Sequence, residues 1–444
     1  MSLMSQFARA QENVLRLDLD QAVRIALAQN PQIEQILAQL NIAEERVQVA
    51  SAPARLQLDL QGGVARVQPA QTPTVQVNVD GVQSNFNQDP GFGYNLFEGA
   101  LNIQKLLFDG GQVRNQIAAA RLTSDSAHLT ALDTWRRLHL QIETAYISVL
   151  RAQERVENAL TSRDLAQANL TTAEKRFAVG QVPRGDIVFA QVPLAQADLE
   201  VERAVFQKQS AKEALLLAIG LPQSTPVEVE ELTPREELEL TRETAIQYAL
   251  EERADLQADV LKLEAADKNL EAVRRGRRPQ LAFASTINPL GFDGNALASG
   301  GYRVGLVLRW PILSGNVVEH QTHIAESQLV DIEAGIDLKK QTIEREVREA
   351  YRAVELARLA KDSTNLQVKQ AAESLRIAQG QYNAGLAQFN VVNEQQRELV
   401  RAQGAQTQAT YDYMEARARF DQVIGREVLR EGPFEEALEP SSKR

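Results

Sequence analysis

The 444-residue sequence is one long unit said twice, and this duplication limits the possible folds more than any other feature. An offset of 205 residues carries Phe108-Asp109-Gly110-Gly111 onto Leu313-Ser314-Gly315-Asn316, and Ala145-Tyr146 onto Ala350-Tyr351. The same offset carries Phe177 and Gly180 onto Tyr382 and Gly385, and Ile219-Gly220 onto Ile424-Gly425, with no gap. Upstream, an offset of 223 carries Ala22–Leu27 onto Ala245–Leu250, so the first copy holds 18 extra residues between the two blocks. Length alone argues for two or three domains. An ungapped, ordered series of matches overrides that expectation, and both copies must build the same elements.

Within each copy the periodicity is helical over long distances. Ala145, Val149, Ala152, Val156, Ala159, Ala166, Leu170, Ala173 and Phe177 follow steps of four and three, broken only by Arg163, which is a heptad seam. The spacing predicts a helix over 111–179, on the order of 100 Å long at 1.5 Å per residue. A returning helix over 184–219 carries Leu194, Ala197, Val201, Ala204, Ala211, Leu215 and Ala218 in the same rhythm, with Lys208 in the polar slot. Pro183 suits its first turn, and Pro193 should kink it. The second copy repeats the pair as a long helix over 315–384 and a returning helix over 390–424. Alanine-rich seams allow close approach and suit broad curved sheets of helices, whereas a filamentous coiled-coil scaffold is the competing reading.

What separates the helices is β-like. Tyr302, Val304, Leu306, Leu308 and Trp310 alternate with Arg303, Gly305, Val307 and Arg309, about the length of a membrane-spanning strand with one face suited to lipid. Leu281, Phe283 and Ile287 belong to the preceding strand; Leu58, Leu60 and Val64, then Phe97, Leu101 and Ile103, give the first copy's pair. The hairpins therefore span about 57–107 and about 280–312. The 18-residue excess contains Val75, Val77 and Val79 in alternation, a longer hairpin. A soluble hairpin packed on a helix is the alternative. Four membrane strands per chain leave open edges that lipid does not tolerate, so several chains must close one barrel. The domain plan is a tail over 1–17, a first repeat over 18–220, an acidic linker over 221–240, a second repeat over 241–425 and a tail over 426–444.

Composition excludes several function classes. A formal charge of -11 argues against nucleic acid, which needs a concentrated basic surface. The absence of cysteine removes disulfides, thiolate metal sites and a lipidated N-terminal cysteine. No run of roughly 18 apolar residues offers a transmembrane helix. There is no phosphate-loop glycine and lysine spacing and no Gly-x-Ser-x-Gly, so neither nucleotide binding nor a serine nucleophile is indicated. His320 and His323 lie one turn apart without a third donor to complete a metal site. Catalytic, cofactor and metal residues are therefore expected to be none. Arg274-Arg275-Gly276-Arg277-Arg278 ends a helix before a strand, where cations complement the helix dipole and suit anionic head groups; a solvated helix end is the alternative. The Glu228–Glu239 run reads as a solvated linker. Ala8-Arg9-Ala10 has the form of a signal-peptide cleavage site, which would put the chain's start near a mature end after signal removal; a chance Ala-x-Ala is the alternative.

Hairpin, long heptad helix, glycine turn and returning helix, all duplicated, resemble the TolC family of outer-membrane efflux proteins from about Leu17 to Gly425. The most specific pieces are Leu106-Leu107-Phe108-Asp109-Gly110-Gly111, similar to the family's strand-to-helix signature, with Gly315 in the second copy, and Arg176-Phe177-Ala178-Val179-Gly180 with Asp186 downstream. The second copy departs by placing Val391 where the aspartate would fall, between Asn390 and Asn393. The resemblance implies a mainly α fold with membrane β: a long α-helical barrel on a twelve-stranded β-barrel, made by a homotrimer with an internal repeat. It implies a passive duct in the outer membrane of a Gram-negative bacterium, extending into the periplasm and contacting outer-membrane lipid. A periplasmic adaptor and an inner-membrane pump would be the partners in a tripartite efflux or type I secretion system; the alternative is a soluble coiled-coil scaffold. Phe177, Gly180, Tyr382 and Gly385 become candidate adaptor-docking turns. Asp186, Asn390, Asn393 and Glu394 become candidates for the periplasmic entrance. Ala387 and Gln388 stand where some relatives carry arginines that close it.

Overall fold

The computed structural model describes residues 15–67, 75–79, 82–86, 94–232, 240–288, 291–293, 296–298 and 301–426. Ala8-Arg9-Ala10, residues 233–239 of the acidic linker and the tail beyond Arg426 lie outside the described residues. The first copy runs β1 (Leu15–Leu17), α1 (Leu19–Gln29), α2 (Pro31–Ser51), β2 (Gln57–Val67), β3 (Val75–Val79), β4 (Val82–Phe86), β5 (Tyr94–Phe108), α3 (Gln112–Ala178) and α4 (Arg184–Ile219). After β6 (Val227–Val229), the second runs α5 (Arg242–Glu252), α6 (Ala254–Arg275), β7 (Gln280–Asn288), β8 (Gly291–Asp293), β9 (Ala296–Ala298), β10 (Gly301–Arg309), α7 (Val317–Asn383) and α8 (Phe389–Val423). The long helices α3 and α7 are each 67 residues. The chain divides into two compact units, one holding residues 41–126 and 260–334 and the other the remainder.

In the first of these units the strands form an antiparallel sheet in the order β2-β5-β7-β10, with β8 and β9 as short extensions. The duplication is exact in register. Leu58 faces Ile103 in the first hairpin, and Leu281 faces Leu308 in the second; offsets of 223 and 205 convert one pair into the other. The extra residues of the first copy supply the β3–β4 hairpin. Among the described residues, β2 and β10 each pair on one side only, so the sheet ends in two open edges. All nine residues of β10 are exposed. Trp310 does not belong to this strand, because β10 stops at Arg309: Pro311 has no N–H to continue the ladder. The second hairpin correspondingly ends three residues short of the expected 312.

In the helical unit the alanine seams are buried: Ala159, Ala166 and Ala173 on α3, and Ala190, Ala197 and Ala204 on α4. Helix α4 runs unbroken through Pro193, and Pro183 is its N-cap residue, with Arg184 its first. Helices α3 and α8 meet on a polar seam, where Thr407 bonds Asn158 and Glu154, and Asn169 bonds Gln396. Both copies dock the end of a returning helix against the start of a shorter one. Asn30 Nδ2 donates to the Ala218 carbonyl at 2.7 Å, and at the equivalent place Arg253 Nη1 reaches the Val423 carbonyl at 3.4 Å. Gly220, at φ 83°, lies so close that a Cβ there would stand 2.7 Å from Asn30 Cα. Beside it, β1 and β6 pair in parallel, and the Tyr146 hydroxyl faces the Leu17 and Glu230 carbonyls.

Candidate functional site

The turns between long and returning helices have one construction in both copies. Gly180 N–H donates to the Phe177 carbonyl and Gln181 N–H to Arg176; Gly385 donates to Tyr382 and Leu386 to Gln381. This is a Schellman closure with glycine in the left-handed conformation, at φ 73° and 75°. Leucine or valine at either glycine would strain the backbone, although no atom crowds a Cβ there. Phe177 is 42% exposed, whereas Tyr382, its equivalent, is only 5% exposed. Tyr382 is therefore unavailable as a docking side chain. It fills a cluster with Leu170, Ala173, Ala190, Leu375 and Phe389.

Tyr382 instead joins the two copies. Its hydroxyl donates to Asp186 Oδ2 at 3.3 Å, Arg176 Nη1 donates to its carbonyl at 2.6 Å, and the same guanidinium lies 4.5 Å from its ring centroid. Burial, followed by the negative charge of Asp186, pushes the Tyr382 phenol above its ordinary value. Of the other entrance candidates, Asn390 and Glu394 are exposed and Asn393 is half-buried. The guanidinium beside Tyr382 belongs to Arg176 of the other copy, whereas positions 387 and 388 hold alanine and glutamine. Its signal was present in the Arg176-Phe177 motif, whose equivalent position is Gln381.

The strand-to-helix junctions also repeat. Gly110 and Gly111 have φ 68° and 88°, Gly315 and Asn316 have 59° and 58°, and asparagine is the non-glycine residue that best tolerates this region. Asp109 caps α3 by accepting from the Gly111 and Val113 N–H groups at 2.7 and 2.5 Å. The basic run closes over this junction: Arg275 and Arg278 both donate to the Gly110 carbonyl, at 3.2 and 3.0 Å. Arg274 pairs with Glu326 at 2.7 Å and Arg277 with Glu319 at 3.6 Å. These cations thus have partners within the chain. Phe108 ends β5 and is exposed, as are Tyr302, Val304, Leu306 and Leu308 on β10. His323 Nδ1 lies 3.2 Å from Glu326 Oε2, and the described residues hold no group of three or more metal-ligating side chains.

Comparison with known proteins agrees with this architecture. The chain is 35% identical over 111 residues to the cobalt-zinc-cadmium resistance protein CzcC of Cupriavidus metallidurans, covering 25% of this chain and 27% of that protein. It is 23% identical to protein CyaE of Bordetella pertussis, over 78% of this chain and 71% of that protein. The crystal structure of the outer membrane protein VceC from Vibrio cholerae superposes with a TM-score of 0.75 at 19% identity, covering 93% of this chain and 97% of that one; this likeness shows the fold. The pattern of the family described as outer membrane efflux protein matches residues 22–221 and 245–426, nearly all of both copies, and the chain belongs to that family.

Proposed function

We propose that three copies of this chain close one passive export duct, with the four-stranded sheets completing a twelve-stranded barrel in the outer membrane. The observation that carries the reading is the pair of open edges on β2 and β10, since unpaired backbone groups cannot face lipid. Uncovered apolar residues on the helices support it too. Val192, Leu199 and Phe206 are exposed and lie seven apart on α4, and Leu359 and Leu366 do the same on α7, the spacing of seams awaiting another helix. Tyr302, Val304, Leu306 and Leu308 would face lipid, and the turns at Phe177, Gly180 and Gly385 would meet a periplasmic adaptor coupled to an inner-membrane pump. Asp186, Asn390, Asn393 and Glu394 would line the entrance at the same end. Light scattering in detergent, with detergent mass subtracted, should give three chains per particle. A monodisperse monomer would overturn the reading.

A further inference from the structure

The contacts between the two copies inside one chain specify how neighbouring chains meet. Strand β5 of the first copy pairs with β7 of the second, with Leu101 opposite Ile287 and Gln104 opposite Ala284. Offsets of 205 and 223, which convert the first hairpin into the second without error in register, carry β5 onto β10 and β7 back onto β2. Those two strands are the open edges. Pairing them across a chain boundary with the internal register places Leu306 opposite Val64, Val307 opposite Gly63, Leu308 opposite Gly62 and Arg309 opposite Gln61.

The helix junction obeys the same operation. Arg278 donates to the Gly110 carbonyl; shifting these residues by 223 and 205 gives Arg55 and Gly315. Residue 55 is indeed arginine, two residues before β2 as Arg278 is two before β7. Within the chain its guanidinium donates to the Gln48 side chain, at 2.7 Å. The Gly315 turn stands open, with no atom within 4 Å of a Cβ built on it, whereas Gly110 is covered by Arg278. The first interface is full and its copy is empty.

We infer that β10 of one chain pairs antiparallel with β2 of the next so that facing residue numbers sum to 370, and that Arg55 of the second chain donates to the Gly315 carbonyl of the first. This rests on the multichain reading above, and commits it to one interface out of the many a ring could use. Register in a sheet with one lipid face is strongly specified, because a one-residue slip turns every side chain to the wrong face.

The chain has no cysteine, which makes the register directly testable. Directly opposite Cα atoms in an antiparallel pair are about 4.5 or 5.5 Å apart in alternation, and both fall within disulfide range. Val307→Cys with Gly63→Cys, and Leu306→Cys with Val64→Cys, cover both kinds of pair. Purified in detergent and oxidised in air with copper phenanthroline, at least one of the two should run on denaturing gels as a ladder ending at three covalently joined chains. Val307→Cys with Gln61→Cys, displaced by two residues to a diagonal of about 7–8 Å, should stay monomeric on the gel. Light scattering on the reduced variants separates the outcomes. Three chains per particle with no cross-link, or a cross-link only in the displaced pair, overturns the register and leaves the assembly standing. A monomer overturns both. Independently of the strands, Arg55→Ala should lower the temperature at which the trimer dissociates, while Gln48→Ala should not; equal effects would mean that Arg55 acts only within its own chain.

Discussion

The Tyr382 hydroxyl and the Asp186 carboxylate, 3.3 Å apart, tie the end of α7 in the second copy to the start of α4 in the first. The bond is long for O–H···O, and its net worth is about 1 kcal/mol. A difference of that size shifts a two-state balance about fivefold. If the turns move apart when the duct opens, Tyr382→Phe should raise the open fraction in planar bilayers by about that factor per chain, with Arg176 still covering the ring. An unchanged open fraction would show that the bond is not part of the gate.

Glu394 should act on selectivity instead. It is exposed near the start of α8, and threefold assembly would bring three such carboxylates toward one axis. At separations near the Debye length of about 8 Å in physiological salt, their field is only partly screened. Glu394→Gln should lower cation selectivity and flatten its dependence on salt. Asp186→Asn should resemble Tyr382→Phe, because that carboxylate is engaged by the phenol. Selectivity lost in Asp186→Asn alone would assign the ring to the first copy; loss in neither would remove the acidic entrance.

Much of this was legible because helices and strands repeat at fixed periods and were written twice. The steps of four and three through Ala145–Phe177 located α3, and the alternation at 302–309 located β10. What escaped was contact between the copies. Arg176 and Tyr382 are 206 residues apart, and no local pattern links a guanidinium in one repeat to a ring in the other. For the same reason the basic run at 274–278 read only as a helix end suited to the dipole, to lipid head groups or to solvent, and its contact with the Gly110 carbonyl through two of its four arginines was not foreseen. Trp310 was counted in the strand because alternation continues through it, and the proline after it decided otherwise.

Gly180 and Gly385 offer a separate test of partner docking. Each holds a left-handed backbone, which costs an L-residue about 1–2 kcal/mol, and neither is crowded. Gly180→Leu and Gly385→Leu should therefore assemble in normal yield while export is lost, since the new side chain projects where a partner's helical hairpin would sit. Wild-type export in both would move the adaptor elsewhere.

The last expectation concerns alkaline stability. Tyr146 is 1% exposed on α3, and its single proton serves the Leu17 and Glu230 carbonyls, at 2.9 and 2.7 Å. Burial, aided by the charges of Asp18 and Glu230, pushes its phenol from 10.0 to about 12. Folding thus favours the protonated form. The associated stability is complete below about pH 10 and is lost as pH rises toward and through about 12, amounting to at most about 2.7 kcal/mol for two pKa units. Tyr146→Phe should cost about 1 kcal/mol at neutral pH through the missing hydrogen bond, and should flatten the decline between about pH 10 and 12. Some decline should remain, because burial and Glu154 also push the Tyr411 phenol up. Denaturant midpoints measured across this pH range in the native chain and in Tyr146→Phe decide the matter. Equal slopes in the native chain and in Tyr146→Phe would assign the alkaline loss to other groups.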